Sequence, residues 1–103
     1  MAESIYEMKT DLFKALSHPI RIRILESLRE RKQCAGTLVP ELGIEQSNFS
    51  RHISALKTAG LIRTWKEGVS VYFSISDQRI FDLIDTANEI LKHRIQSHHN
   101  IFI

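Results

Sequence analysis

One stretch, residues 38–64, constrains the fold of this chain more than any other. It reads LVPELGIEQSNFSRHISALKTAGLIRT, which predicts a short helix, a turn, a second helix and the start of a strand. Gly43 favours the left-handed backbone that ends the first helix, and Gly60 ends the second, predicted over residues 46–60. The apolar residues of the second helix recur on one helical face: Phe49, Ile53 and Leu56. The stretch therefore predicts a helix-turn-helix.

The other face of the second helix is polar, and every side chain on it can donate a hydrogen bond. Its members are Gln46, Ser47, Asn48, Ser50, Arg51 and Lys57. Between residues 46 and 66 no Asp or Glu occurs, and the acidic residues lie on either side of this range. Such a segregated patch is typical of a helix that lies in a DNA major groove. The alternative interpretation is a helix face that is merely solvated.

The length and the composition of the chain fit one small globular domain over residues 1–103. The chain is 43% hydrophobic and 25% charged, which is ordinary for a globular protein. Its net charge of +2 is too small to indicate a nucleic-acid partner by itself, so the prediction depends on where the charges lie. A chain this short buries a modest core, and oligomerisation is a natural way to bury more.

Several classes of protein are not supported by the residues. The single cysteine, Cys34, excludes a disulfide or a thiolate zinc site within one chain. No apolar run approaches the roughly 20 residues that span a bilayer, and the N-terminus has no apolar signal segment, so we expect a cytoplasmic protein without a membrane partner. No phosphate-binding loop or nucleophile motif is present, so we predict neither an enzyme nor a cofactor.

The rest of the chain predicts a mainly helical fold with a two-stranded hairpin, in the order α-α-α-α-β-β-α. The predicted helices span residues 4–16, 20–30, 34–42, 46–60 and 77–95, and the third and fourth of them form the helix-turn-helix. The predicted strands, 61–66 and Ser70–Ile75, lie between the fourth and fifth helices. Pro19 breaks the chain between the first two helices. Glu67-Gly68 is the predicted hairpin turn, and Ser76 is the predicted cap of the last helix.

The last helix has an apolar side that is wide for so small a core. Its members are Ile80, Phe81, Ile84, Ala87, Ile90 and Leu91. Either this helix is well buried, or it forms a dimer interface together with the first helix. The short length of the chain favours the dimer.

At this point the residues resemble the ArsR/SmtB winged-helix repressors of bacteria. The resemblance covers roughly residues 12–95 and rests on three motifs in order: ALSHPIRIRIL, QSNFSRHISALKTAGLIR, and an EG turn followed by VYFSI. It implies a winged helix-turn-helix regulator, a homodimer that binds an inverted-repeat operator in double-stranded DNA and releases it when an inducer arrives. The residues do not identify the inducer.

Positions matched to this family give candidate DNA contacts. Those for base edges and nearby phosphates are Gln46, Ser47, Asn48, Ser50 and Arg51; those for the DNA backbone are His52 and Lys57; those on the wing are Arg63, Lys66 and Tyr72. Val69 stands where family wings often carry a basic residue, which weakens the prediction of a deep minor-groove contact. The rival hypothesis is a winged-helix module that binds only proteins.

The family's two well-known metal sites are both broken in this chain, so we predict no metal. In a Cys-x-Cys pair that begins at Cys34, the second thiol would stand at position 36, which is Gly36. In an Asp-x-His pair that begins at Asp77, the histidine would stand at position 79, which is Arg79. Near the position of a third ligand stands Ile90. The histidine-rich end, with His93, His98 and His99, has spacing that favours only adventitious metal binding.

Cys34 has two open interpretations. It is either a small buried hydrophobe or a redox-sensing thiol, since a helix N-terminus and the nearby Arg31 and Lys32 would lower the pKa of its thiol. Oxidation of that thiol is the candidate inducing event.

Overall fold

A computed structural model of the chain describes residues 3–97. Its elements are α1 (Ile5–Leu16), α2 (Pro19–Ser27), β1 (Gln33–Cys34), α3 (Ala35–Leu42), α4 (Gln46–Thr58), β2 (Ile62–Glu67), β3 (Ser70–Ile75) and α5 (Ile80–Ser97). The predicted fold class and order of elements are confirmed, with one additional short strand. Among the described helices, none is both long enough and apolar enough to cross a membrane.

Side-chain caps fix where the first two helices begin, and a glycine fixes where the third ends. Ser4 and Glu7 form a capping box on α1, in which the Ser4 hydroxyl accepts from the Glu7 amide at 3.1 Å. His18 caps α2, with its Nδ1 accepting the Ile20 amide at 3.1 Å. Gly43 ends α3 at a φ of 67°, as its position predicted.

The sheet has three antiparallel strands in the order β1-β3-β2. The predicted hairpin is present, and β1 adds to the free edge of β3, with Gln33 opposite Phe73 and Cys34 opposite Tyr72. The predicted bounds left Gln33 between two helices and put Cys34 in the third helix. Both assignments were wrong because a two-residue strand has no periodicity and forms only where its partner's edge is presented to it.

Two predicted helix bounds differ from the structure by three residues, and the other helix bounds agree within two. The second helix ends at Ser27 instead of residue 30. The last helix begins at Ile80, since the Asp77 carboxylate accepts the Arg79 amide at 2.9 Å and holds a turn there. Asp77, not Ser76, therefore makes the side-chain contact that precedes this helix.

The core lies between α2, α3 and α4 and one face of the sheet. Its fully buried side chains are Ile24, Leu25, Leu28, Leu38, Phe49 and Leu56. The rings of Phe49 and Phe73 meet edge to face at a centroid distance of 5.6 Å, which joins α4 to the sheet. The predicted inward face of α4 is therefore confirmed.

The helices at the two ends of the chain leave much apolar surface exposed. On α1, Ile5 and Met8 are 56% and 53% exposed. On α5 the first turns are buried, whereas Ile90, Leu91 and Ile95 are exposed. An ion pair between Arg29 and Asp85 ties α5 to the end of α2.

Candidate nucleic-acid interface

The polar face of α4 is open to solvent along its whole length. All six predicted polar residues of this helix are exposed: Gln46, Ser47, Asn48, Ser50, Arg51 and Lys57. Ser54, which is not among the predicted residues, is exposed on the same helix and lines a groove of about 300 Å³ between α4 and the sheet. Ser54 lies four residues after Ser50, and this spacing predicts that both side chains lie on the same face of α4.

Arg51 and Asn48 interact on this face. An Arg51 Nη2 donates a hydrogen bond to Asn48 Oδ1 at 2.8 Å. The bond occupies the carbonyl oxygen of Asn48 and leaves its amide N–H groups and the remaining guanidinium donors of Arg51 for other acceptors. The face is therefore suited to acceptor atoms such as phosphate oxygens and the N7 and O6 atoms of guanine.

His52 does not lie on this face, which corrects its assignment as a DNA-backbone contact. Its side chain is 5% exposed and packs between α4 and α2. The reason is angular: His52 is three residues from Phe49 and four from Leu56, so it shares the buried side of the helix.

The predicted wing residues are divided between the two faces of the sheet. Lys66 is opposite Val71 and shares the side of Phe73 that faces α4. Arg63 and Tyr72 lie on the other side. The Arg63 guanidinium donates to the carbonyl oxygen of Ser76 at 3.4 Å. Only Lys66 of these three therefore shares the surface of the polar α4 face.

Tyr72 belongs to a cluster that joins the wing to β1. Its ring stacks on Trp65 at a centroid distance of 6.1 Å, and the Lys32 ammonium lies 4.7 Å from its centre. Glu67 Oε2 accepts from Lys32 Nζ and from Trp65 Nε1, each at 2.8 Å. These bonds lower the pKa of Glu67, with Lys32 contributing most. The cluster depends on the unpredicted strand β1, which is why the sequence did not reveal it.

Cys34 is half-buried at the N-cap of α3, and its Sγ lies 3.4 Å from the Thr37 hydroxyl. The hydrogen bond from Thr37, aided by backbone amides, lowers the pKa of the thiol. Arg31 and Lys32, which were expected to lower this pKa, are not the cause. Lys32 is paired with Glu67 instead.

The Asp77 carboxylate is already occupied by a cation from its own chain. The Arg79 guanidinium donates to it from Nε at 3.0 Å and from Nη2 at 2.6 Å, which lowers the pKa of Asp77 to about 2. Within residues 3–97 no group of three or more His, Cys, Asp or Glu side chains is placed to hold a metal ion. Of the histidine-rich end, His93 lies on α5, while His98 and His99 lie outside the described residues.

A second surface is apolar and lies on the terminal helices. It forms a groove of about 460 Å³ lined mainly by Phe13, Leu16, Ile22, Leu83, Ile90 and Leu91. We call this surface the terminal apolar face. It combines residues of α1, α2 and α5.

Comparisons with known proteins agree with this geometry. The family model described as "Bacterial regulatory protein, arsR family" matches residues 18–64. The uncharacterized HTH-type transcriptional regulator Rv0081 of Mycobacterium tuberculosis is 37% identical over 91 residues, which cover 87% of this chain and 80% of Rv0081. Its crystal structure has a TM-score of 0.83 at 35% identity, covering 93% of this chain and 97% of that one.

Two further proteins extend the comparison. The HTH-type transcriptional repressor SmtB of M. tuberculosis is 31% identical over 80 residues, covering 78% of this chain and 59% of SmtB. The solution structure of Mb0332 from Mycobacterium bovis, described as a homodimeric winged helix-turn-helix DNA-binding domain, shares the fold at 23% identity, with a TM-score of 0.79 and coverage of 96% and 97%. The chain therefore belongs to the ArsR family of bacterial regulatory proteins and is a DNA-binding, winged helix-turn-helix transcriptional regulator.

Proposed function

We propose that this regulator is a homodimeric repressor that binds an imperfect inverted repeat in double-stranded DNA. The observation that carries the proposal is the exposed face of α4, which bears hydrogen-bond donors and two cations without an acidic residue. A face of this composition matches the acceptor-rich edges and phosphates of the major groove. The name of the relative SmtB supports repression as the mode of regulation.

The terminal apolar face supports the homodimer. A second copy that covers Phe13, Ile90 and Leu91 would remove apolar surface that this chain cannot bury alone. A two-fold axis through this face would present two α4 helices to successive major grooves, about 34 Å apart. An inverted repeat is the DNA counterpart of that symmetry.

Roles follow from position on the polar face. Base edges and adjacent phosphates are assigned to Gln46, Ser47, Asn48, Ser50 and Arg51. Lys57, nearer the C-terminal end of α4, and Lys66 on the facing side of the wing are assigned to phosphates. Arg63 and Tyr72 are removed from the set because their side of the sheet faces away from α4.

Oxidation of Cys34 is retained as the candidate inducing event. Its accessible thiol and lowered pKa favour reaction of the thiolate with peroxide, and its place at the start of α3 connects it to the helix-turn-helix. If this is correct, peroxide will weaken operator binding by the wild-type protein but not by Cys34→Ser. Unchanged affinity with Cys34 fully oxidised would rule it out.

Titration of the protein against duplex DNA, followed by fluorescence anisotropy, tests the proposal. A duplex selected from a random library should contain an inverted repeat. The affinity of the protein for this duplex should fall steeply as the salt concentration rises, because binding releases counterions from the DNA phosphates. A protein-binding winged helix would show no duplex binding even at low salt. Selection of a single half-site, bound by a monomer, would contradict the dimeric arrangement.

A further inference from the structure

A pair of histidines joins the reading helix α4 to α2 beneath its exposed face. The ring of His52 lies 4.2 Å from the ring of His18, centroid to centroid. Arg21, on α2, donates from Nε to His52 Nδ1 at 3.2 Å. The same arginine donates from Nη1 to the carbonyl oxygen of Lys14 at the end of α1, at 3.3 Å. Arg21, on α2, therefore links the end of α1 to His52 on α4.

Both rings use the same nitrogen as a hydrogen-bond acceptor. His52 Nδ1 accepts from Arg21, and His18 Nδ1 accepts from the Ile20 amide at the start of α2. A neutral imidazole has one acceptor nitrogen, and this is the atom that takes up a proton when the ring becomes an imidazolium. Protonation of His52 at Nδ1 would therefore remove the Arg21–His52 hydrogen bond, and protonation of His18 at Nδ1 would remove the side-chain cap of α2.

The charges around His52 oppose its protonation. Those acting on it are positive: His18 when protonated, Arg21 from α2 and Arg51 from its own helix. From α1, Lys14 and Asp11 line the adjacent groove, and both are exposed.

Strand β2, in the sheet that also packs on α4, carries three charged residues. Two of its charged residues are engaged elsewhere, Arg63 with the Ser76 carbonyl and Glu67 with Lys32. The third, Lys66, is exposed and positive. None of these groups offers His52 a compensating carboxylate.

We propose that the His18–His52 pair is a pH-sensitive contact that positions the DNA-reading helix, and that its protonation releases α4 from α2 and weakens binding to the operator. This inference rests on the proposed use of the α4 face to read DNA. His52 acts here as a positioning residue and does not touch the DNA.

The direction of the pH dependence follows from the burial of His52. Burial, together with the neighbouring positive charges, lowers the pKa of His52 in the folded chain. The unfolded chain therefore binds more protons near the ordinary histidine pKa of about 6.5. The contribution of this contact is fully present above that pH and is lost as the pH falls through the lowered folded-state value.

The experiment measures affinity for the selected duplex by fluorescence anisotropy from about pH 8 to about pH 5.5 at constant ionic strength. We expect a loss of several-fold and at most about tenfold, because one linked proton changes the affinity by up to about tenfold for each pH unit below the pKa of His52. A general gain of positive charge in acid would strengthen binding to the phosphates, so that effect and the proposed one predict opposite slopes. Constant or rising affinity in acid would overturn the proposal.

Variants locate the effect. His52→Gln retains an acceptor for Arg21, and His18→Asn retains a helix cap, but neither side chain takes up a proton in this range. The double variant should bind as the wild type does at pH 8 and lose far less affinity in acid. His93→Gln, an exposed histidine on α5, is the matched control and should keep the wild-type profile. A double variant with the wild-type profile would overturn the proposal.

Proton NMR of the histidine rings of the wild type, followed against pH without DNA, supplies a second measurement if a variant fails to fold. His52 should titrate below the ordinary histidine value, and the signal of the Arg21 Nε–H group should shift with it. Titration of His52 as a free histidine would overturn the inference. A protein that binds no duplex at pH 8 but shows the linked NMR titration would contradict the proposed function and leave the histidine contact in place.

Discussion

The reading half of the molecule, α2 to α4 with the sheet, and the terminal helices α1 and α5 bury their apolar residues to very different extents. In the reading half, Leu38 and Leu56 are fully buried. On α5, Ile90 is 59% exposed. The reading half therefore surrounds the buried core, to which α5 contributes Ile80, Phe81 and Ile84, whereas the terminal helices expose apolar surface that a second molecule could cover.

The two exposed surfaces differ in the same way. The α4 face is polar and donor-rich, which suits DNA, and the terminal apolar face suits a second copy of the chain. The chemistry of each exposed surface therefore indicates which partner it suits, and the total exposed area does not. Substitutions in the two halves should therefore have different effects on folding, on dimer formation and on DNA binding.

The largest effect is expected from truncating the core of the reading half. Phe49→Ala removes a ring that is 2% exposed and packs on Phe73, and should cost about 3–5 kcal/mol of unfolding free energy. The loss should not depend on protein concentration, as measured by urea denaturation at several concentrations. Phe13→Ala, on α1, is the matched control: its ring is 57% exposed, so its effect should appear only through a concentration-dependent dimer.

The next largest effect is expected from a charge on the terminal apolar face. Leu91→Glu places a carboxylate on the groove surface and should dissociate the dimer. Operator affinity should then fall about a hundredfold or more, because the two half-sites are no longer bound as a linked pair. Sedimentation velocity and anisotropy give the two readouts. Gln96→Glu adds the same charge on the opposite side of α5 and should leave both unchanged; an intact Leu91→Glu dimer would contradict the assigned interface.

A smaller effect is expected on the α4 face itself. Arg51→Ala should lower operator affinity about tenfold to a hundredfold and relax base preference at one position in each half-site. Lys57→Ala should weaken all sequences alike and reduce the salt dependence by about one phosphate contact. Neither change should alter the melting temperature much, since both side chains are exposed. Equal effects of Arg51→Ala on operator and random duplexes would show that Arg51 reads no base.

The smallest effect is expected where the two halves are tied together. The Arg29 guanidinium pairs with Asp85 and lies 4.6 Å from the centre of the Phe81 ring, and it lowers the pKa of Asp85. Asp85→Asn should reduce the melting temperature slightly, because the pair is partly exposed to solvent. The difference from wild type should be present above the ordinary aspartate pKa of about 3.9 and vanish as the pH falls through the lowered value. A difference that persists in acid would assign the loss to packing instead.

Much of the reading half was predictable from local residues. The spacing of Phe49, Ile53 and Leu56 predicted the buried side of α4, and the glycine at position 43 predicted where α3 ends. The polar face followed as the complement of that side. The error at His52 came from treating a polar residue as exposed, although its angular position already placed it with the apolar residues.

What the sequence by itself determined was the helix-turn-helix, its acid-free face and the order of the elements, since periodicity and turn chemistry act within a few residues. Only the tertiary structure decided the rest. Strand β1 exists because the edge of β3 is presented to it, the wing residues are divided by the sides of the sheet, and His52 meets His18 because two helices cross there. Contacts between residues distant in sequence leave no periodic pattern, and those contacts decide which polar side chains of the reading half share the exposed face of α4.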